Sequence, residues 1–200
     1  MRPLVFLRRF LGRPRLVAGW RFATIRSSGW WVYIVYLPLF CLQNGLGEKV
    51  GGAALSLSNA VLFATPLLLR LMQRMSVRGA VRGAFGYCAA CFALAAPLSP
   101  WPWATVACLV LASAGLVMLD VCGSLPFLMA VKPSERTEMA AVYSSFRDVS
   151  GILSPAAGGA IVVVGPVAAV FAPTGVAMGL AWDIAGSVHP HLGRRPGQGA

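Results

Sequence analysis

Apolar residues in this chain come in long uninterrupted blocks, not in the alternating or one-face patterns of a soluble domain. A helix that crosses a bilayer needs about 20 mostly apolar residues. Five blocks suit that length: residues 50–71, 81–98, 101 to about 130, 138–164 and 167–187. A sixth comes before them and ends near Cys41 or Leu42, after Pro38. Hydropathy alone begins it at Ser28, whereas a start near Leu16 draws Arg21 and Arg26 into or near the membrane. The pattern predicts an all-α integral membrane protein, a bundle of six transmembrane helices within residues 16–187. A basic juxtamembrane segment (1–15) precedes the bundle and a tail (188–200) follows it.

Composition supports lipid as part of the solvent. The chain is 58% hydrophobic and 12% charged, more apolar surface than a 200-residue soluble domain can hide. Its net charge of +11 raises the question of nucleic acid. The basic residues, however, lie between apolar blocks and form no phosphate-binding face, which argues against a nucleic-acid partner. They are also segregated. One set of ends holds Arg2, Arg8, Arg9, Arg13 and Arg15, then Arg70, Arg74, Arg78 and Arg82, then Lys132 and Arg136, and finally Arg194 and Arg195. The opposite ends hold Glu48 and Lys49, then uncharged turns at Ser99-Pro100 and Gly165-Pro166. By the positive-inside rule both termini are cytoplasmic. Arginine in place of lysine, with abundant Ala, Gly and Pro, suits a GC-rich bacterial genome and hence the bacterial cytoplasmic (inner) membrane. At the start of the chain, "LVFL" is too short for a signal peptide and Arg8-Arg9 interrupt it. An Arg-rich, acid-free start also suits a mitochondrial transit peptide. The simpler expectation is a segment lying on the anionic cytoplasmic leaflet.

All five cysteines, Cys41, Cys88, Cys91, Cys108 and Cys122, fall in apolar blocks. Cys88 and Cys91 form a C-x-x-C with no second cysteine or histidine pair nearby, so they read as small packing residues rather than metal ligands. No metal or cofactor is expected.

Charges inside the blocks are the candidate chemistry. An ionisable residue at mid-bilayer costs about 2.5–3.5 kcal/mol on insertion scales, so it faces a cavity or a partner. Asp120 lies in the cytoplasmic half of its block and is expected to handle a proton or substrate. Arg147 and Asp148 lie inside "AVYSSFRDVSGILSPAAGGAIVVV", about 100° apart on the helix, so each needs a partner elsewhere. Asp120 is the expected partner of Arg147, and a purely structural clasp is the alternative reading. Asp183 is expected at the interface. In the same block Ser144, Gly151, Ser154 or Pro155, and Gly158 recur at short helical steps. That stripe would let helices approach closely, and Pro155 permits a bend.

These residues resemble the carboxy-terminal half of a major facilitator superfamily transporter. "SPAAGG" (Ser154, Pro155, Gly158 and Gly159 within it) resembles the G-P-x-x-G-G helix-packing motif of that family's antiporters, with Ser154 for the first glycine. "LRLMQRMSVRGAVRG" resembles the family's cytoplasmic gating loop, with Arg74 and Arg78 on its basic positions, Gln73 for its Asp, and Leu69 and Ser76 for its glycines. "KPSERTEMAAVYSSFRDVSG" is similar to the family's approach to its eleventh helix, with Ser134 as N-cap and Glu135 and Glu138 in the first turn. The resemblance implies that Pro38 ends a seventh helix near the outer face. That favours the start near Leu16 and turns Arg26 toward a central cavity. Tyr33, Tyr36 and Asn59 are further polar candidates, each also explicable as an interhelical hydrogen bond.

The expected function is therefore half of a secondary transporter moving a small organic solute, with proton-coupled efflux as the expected mode. Members of the family place substrate between two six-helix halves, so the partner would be an amino-terminal half or a second copy, together with membrane lipid. A non-transporting membrane subunit or truncated remnant is the alternative. An intramembrane serine protease would need a G-x-S-G nucleophile and a histidine in a later span. The sequence has no G-x-S-G, and His189 and His191 lie in the tail, so no enzyme is expected.

Overall fold

The computed structural model describes residues 10–67, 70, 77–123 and 136–187. Residues 1–9, the gating-loop positions Leu69, Gln73, Arg74 and Ser76, the end of the block that begins at residue 101, the Ser134 and Glu135 positions and the tail lie outside the described residues. Within them the chain is helical and has no strand. The long helices are α1 (Pro14–Gln43), α2 (Glu48–Ala60), α3 (Val77–Ala95), α4 (Pro102–Gly123), α5 (Arg136–Val164) and α6 (Phe171–Ser187). Single 3-10 turns, Val61–Ala64 and Val167–Val170, continue α2 and precede α6.

Four stretches are long and apolar enough to cross a membrane: Leu16–Gln43, Pro102–Val121, Met139–Val164 and Val167–Gly186. The α2 and α3 helices are not among them. The first is only 13 residues long, and the second carries Arg78 and Arg82 in its opening turns.

The first helix begins well before the apolar run that starts at Ser28. Pro14 stands at its first positions, where a missing N–H breaks no helical bond. Leu16 and Ala23 are then buried with Phe10 against Met139, Tyr143 and Phe146 of α5, so packing rather than hydropathy extends the helix. Its other end is closed by Asn44, whose side-chain amide donates to the Phe40 carbonyl at 2.9 Å. Gly45 and Gly47, at φ 72° and 81°, then make a left-handed turn into α2 that L side chains resist.

Two apolar clusters result, with α1 common to both. The larger joins α1 to α3, α4 and α6 through Tyr33, Leu37, Phe85, Phe92, Leu116 and Met178. The smaller joins α1 to α5 alone. Helix α5 packs on α1 and on the 3-10 turn that follows it, and only 17% of its most apolar window is buried. Its Ile152, Leu153, Val163 and Val164 face outward, as does Phe63 beyond α2. An apolar exterior of this kind suits lipid tails better than water.

Helices α3, α4 and α6 approach through small residues. A Cβ at Gly115 would sit 2.6 Å from the Cys88 sulfur, and one at Gly175 would sit 2.8 Å from the Ala93 backbone nitrogen. Cys88 and Cys91 are free and buried in this seam, and the Cys88 thiol donates to the Ala112 carbonyl at 3.6 Å. No group of three or more His, Cys, Asp or Glu side chains among the described residues could hold a metal ion.

A paired substitution tests the close approach. Gly175→Ala must push α6 off the α3 backbone and should cost about 1–3 kcal/mol. Gly179→Ala, one turn on, meets nothing within 4 Å and should be neutral or stabilising by up to about 1 kcal/mol. Thermal unfolding of the two variants in detergent should place them on opposite sides of the parent or nearly so.

Candidate functional site

The seam between the two clusters is where the charges meet. Arg26, on α1, is 7% exposed. Its Nε lies 3.0 Å from Asp120 Oδ1 on α4. The Nε–H makes no hydrogen bond there, so the contact is an ion pair and not a directed bond. One terminal nitrogen of Arg26 donates to the Leu119 carbonyl at 3.3 Å. The other Asp120 oxygen accepts from the Trp30 indole N–H at 2.8 Å. Arg26 and Trp30 are four residues apart on one helix face, so α1 presents a cation and an indole donor together to one carboxylate. The Phe146 ring of α5 covers the guanidinium from the other side, at 5.3 Å.

These groups line a cleft of about 250 Å³ between α1, α4 and α5, walled by Arg26, Ser27, Trp30, Trp31, Asp120, Phe146 and Arg147. Arg147 itself is exposed, and its guanidinium stands 5.9 Å from the same Phe146 ring. The expected pair of Arg147 with Asp120 does not form. Helix α1 packs against both α4 and α5, and Arg26 reaches the carboxylate from between them. Asp148 is exposed and does not line the cleft, and Asp183 is exposed on α6. Asn59 is exposed on α2, also away from the cleft.

The other polar positions act between helices. Tyr33 meets Ser58 and donates to the Ala54 carbonyl, tying α1 to α2. Tyr36 donates to the Pro155 carbonyl at 2.8 Å, tying α1 to α5. Further along the α1–α5 seam Ser150 bonds Ser27 at 2.6 Å, and the Trp20 indole donates to Ser145 at 3.2 Å. Gly158 and Gly151 lie under the rings of Tyr36 and Trp31, where a Cβ would come within 2.5 and 3.3 Å. Ser154 is buried in the same seam, and Gly159 lies at its edge, a Cβ there reaching the Tyr36 hydroxyl at 4.0 Å. Ser144 does not belong to it: it faces outward and donates to the Ala141 carbonyl of its own helix. Arg78 donates to the Gly186 carbonyl, and Arg82 stacks on Trp182 at 4.7 Å, so both bind α3 to the end of α6.

Trp30, Trp31 and Phe146 complete the cleft and were not signalled by charge. The Arg26–Trp30 spacing is the one feature of sequence that could have pointed to them.

Removing Asp120 leaves the buried Arg26 guanidinium without its counter-charge. Asp120→Ala should lower stability by about 3 kcal/mol or somewhat less, since Asp120 is partly exposed. The double variant Arg26→Met/Asp120→Leu should recover most of that loss, because well-packed apolar replacements of buried ion pairs are close to neutral. Unfolding in detergent measures both.

No protein-family model, curated protein or solved structure matches the chain.

Proposed function

We propose that this chain is a six-helix half of a secondary transporter of the major facilitator kind, and that the cleft around Arg26 and Asp120 is its solute- and proton-handling site. The observation that carries the reading is the Arg26–Asp120 pair, a buried guanidinium against a partly exposed carboxylate. It opens on a cleft in a bundle four of whose helices are long and apolar enough for a membrane. An ion pair placed only to hold helices together needs no cavity beside it. A pair that lines a cavity can exchange partners with a solute. In this reading α2 and α3 also cross the bilayer. Arg70, Arg78, Arg82 and Arg136 mark the cytoplasmic ends, with both termini on that side. Trp101 and Trp103, 65% exposed at the turn into α4, suit the outer interface. The membrane is a bacterial cytoplasmic membrane, and the second half is an amino-terminal six-helix half or another copy.

A second reading has its own observation. Helix α5 is fastened to α1 by three side-chain hydrogen bonds, as a clasp in a non-transporting subunit would be.

Flux separates the two. In proteoliposomes under a proton gradient, the chain should move at least one member of a panel of small organic ions. That flux should collapse with a protonophore, and fall at least about tenfold in Asp120→Asn, the equivalent of about 1.4 kcal/mol. A stable protein that moves no panel member favours the clasp. A gradient-driven flux untouched by Asp120→Asn removes Asp120 from the mechanism.

A further inference from the structure

The cleft is unbalanced in charge. Two guanidinium groups and one carboxylate line it, Arg26, Arg147 and Asp120, leaving one net positive charge. Both guanidinium carbons lie within 5.9 Å of the Phe146 ring. Asp148, the next acid along α5, is exposed and does not line the cleft. On the acceptor side Asp120 is already engaged, one oxygen by Arg26 and the other by the Trp30 N–H. Arg26, more than nine-tenths buried, sets its Nε against Asp120 as an ion pair without a directed hydrogen bond. The Arg147 guanidinium, exposed at the cleft, is the charge left over. A cation entering here would raise the local positive charge. An anion would neutralise the site and meet Arg147 as a charged donor.

The walls say what the anion carries. Trp30, Trp31 and Phe146 supply three aromatic rings, which accept a flat ring edge-on or offset. The volume, about 250 Å³, falls just below the ~300–1,000 Å³ of pockets for drug-sized ligands. It suits a one-ring solute.

We infer that the cleft between α1, α4 and α5 takes a small aromatic monocarboxylate, its carboxylate shared by Arg26 and Arg147 and its ring held among Trp30, Trp31 and Phe146. The solute competes with Asp120 for Arg26. Binding therefore loosens the Arg26–Asp120 ion pair that joins α1 to α4. This deepens the transport reading and rests on it for purpose, but its test is a binding measurement, so the two can fail separately.

Purified chain in detergent is titrated with benzoate, benzamide and benzylammonium, following tryptophan fluorescence. Benzoate should quench saturably, and the neutral and cationic analogues should bind at least about tenfold more weakly. Arg147 is exposed, so Arg147→Gln should fold normally; it should weaken benzoate about tenfold, with Arg147→Lys recovering part of the loss. Trp31→Phe should shrink the quench. Benzylammonium binding as well as benzoate would overturn the inference while leaving a transporter of cations standing. No saturable benzoate signal, or one unchanged in Arg147→Gln, would overturn it too. Benzoate binding without any gradient-driven flux would instead sustain the inference and tell against transport.

Discussion

A guanidinium that is 7% exposed, on a helix whose neighbours are Trp, Phe and Leu, has to find its counter-charge inside the bundle. Much of the rest follows from that constraint. Arg26 sets the rotation of α1, because Asp120 on α4 must meet it and Trp30 must reach the same carboxylate. With α1 so turned, Tyr33 faces α2, and Tyr36 and Ser27 face α5. The helix becomes the shared wall of both apolar clusters. The cleft lies where they fail to merge.

The two sides of α1 are held by different forces. Toward α4 and α6 the packing is apolar, and Gly29 lets α1 lie close against Leu116 and Met178. Toward α5 it is mixed, a small apolar cluster together with side-chain hydrogen bonds from Trp20, Ser27 and Tyr36, and α5 is otherwise largely open to its surroundings. Interhelical hydrogen bonds in membrane proteins average only about 0.6 kcal/mol. Such a helix is easier to shift than to remove. In a transporter that is the property wanted of an element carrying Phe146 and Arg147 beside the solute.

Sequence patterning revealed the helices better than their partners. Long apolar blocks and the turns at Ser99-Pro100 and Gly165-Pro166 mark helix ends that hydropathy can see. The start of α1 is ambiguous in sequence because Arg21 and Arg26 interrupt its first turns, and burial of Leu16 and Ala23 against α5 decides it. Asp120 and Arg26 stand out in one dimension because charge is rare in such blocks. Their pairing does not, since it depends on α1 lying between α4 and α5, a fact of packing order. That is why Arg147, nearer to Asp120 along the chain, was the natural partner on paper and is not the partner found. The aromatic walls were hidden for a simpler reason: Trp and Phe are unremarkable among apolar residues until a charge lies against them.

The central claim is that the Arg26–Asp120 pair exists to be exchanged and not merely to hold helices together. Proton-driven solute flux through the doubly neutral variant Arg26→Met/Asp120→Leu, set beside its secondary structure and unfolding temperature, tests it most directly. The account predicts a folded protein of near-parent stability that no longer couples solute to protons. A folded variant that still couples them would contradict it and leave the pair a clasp.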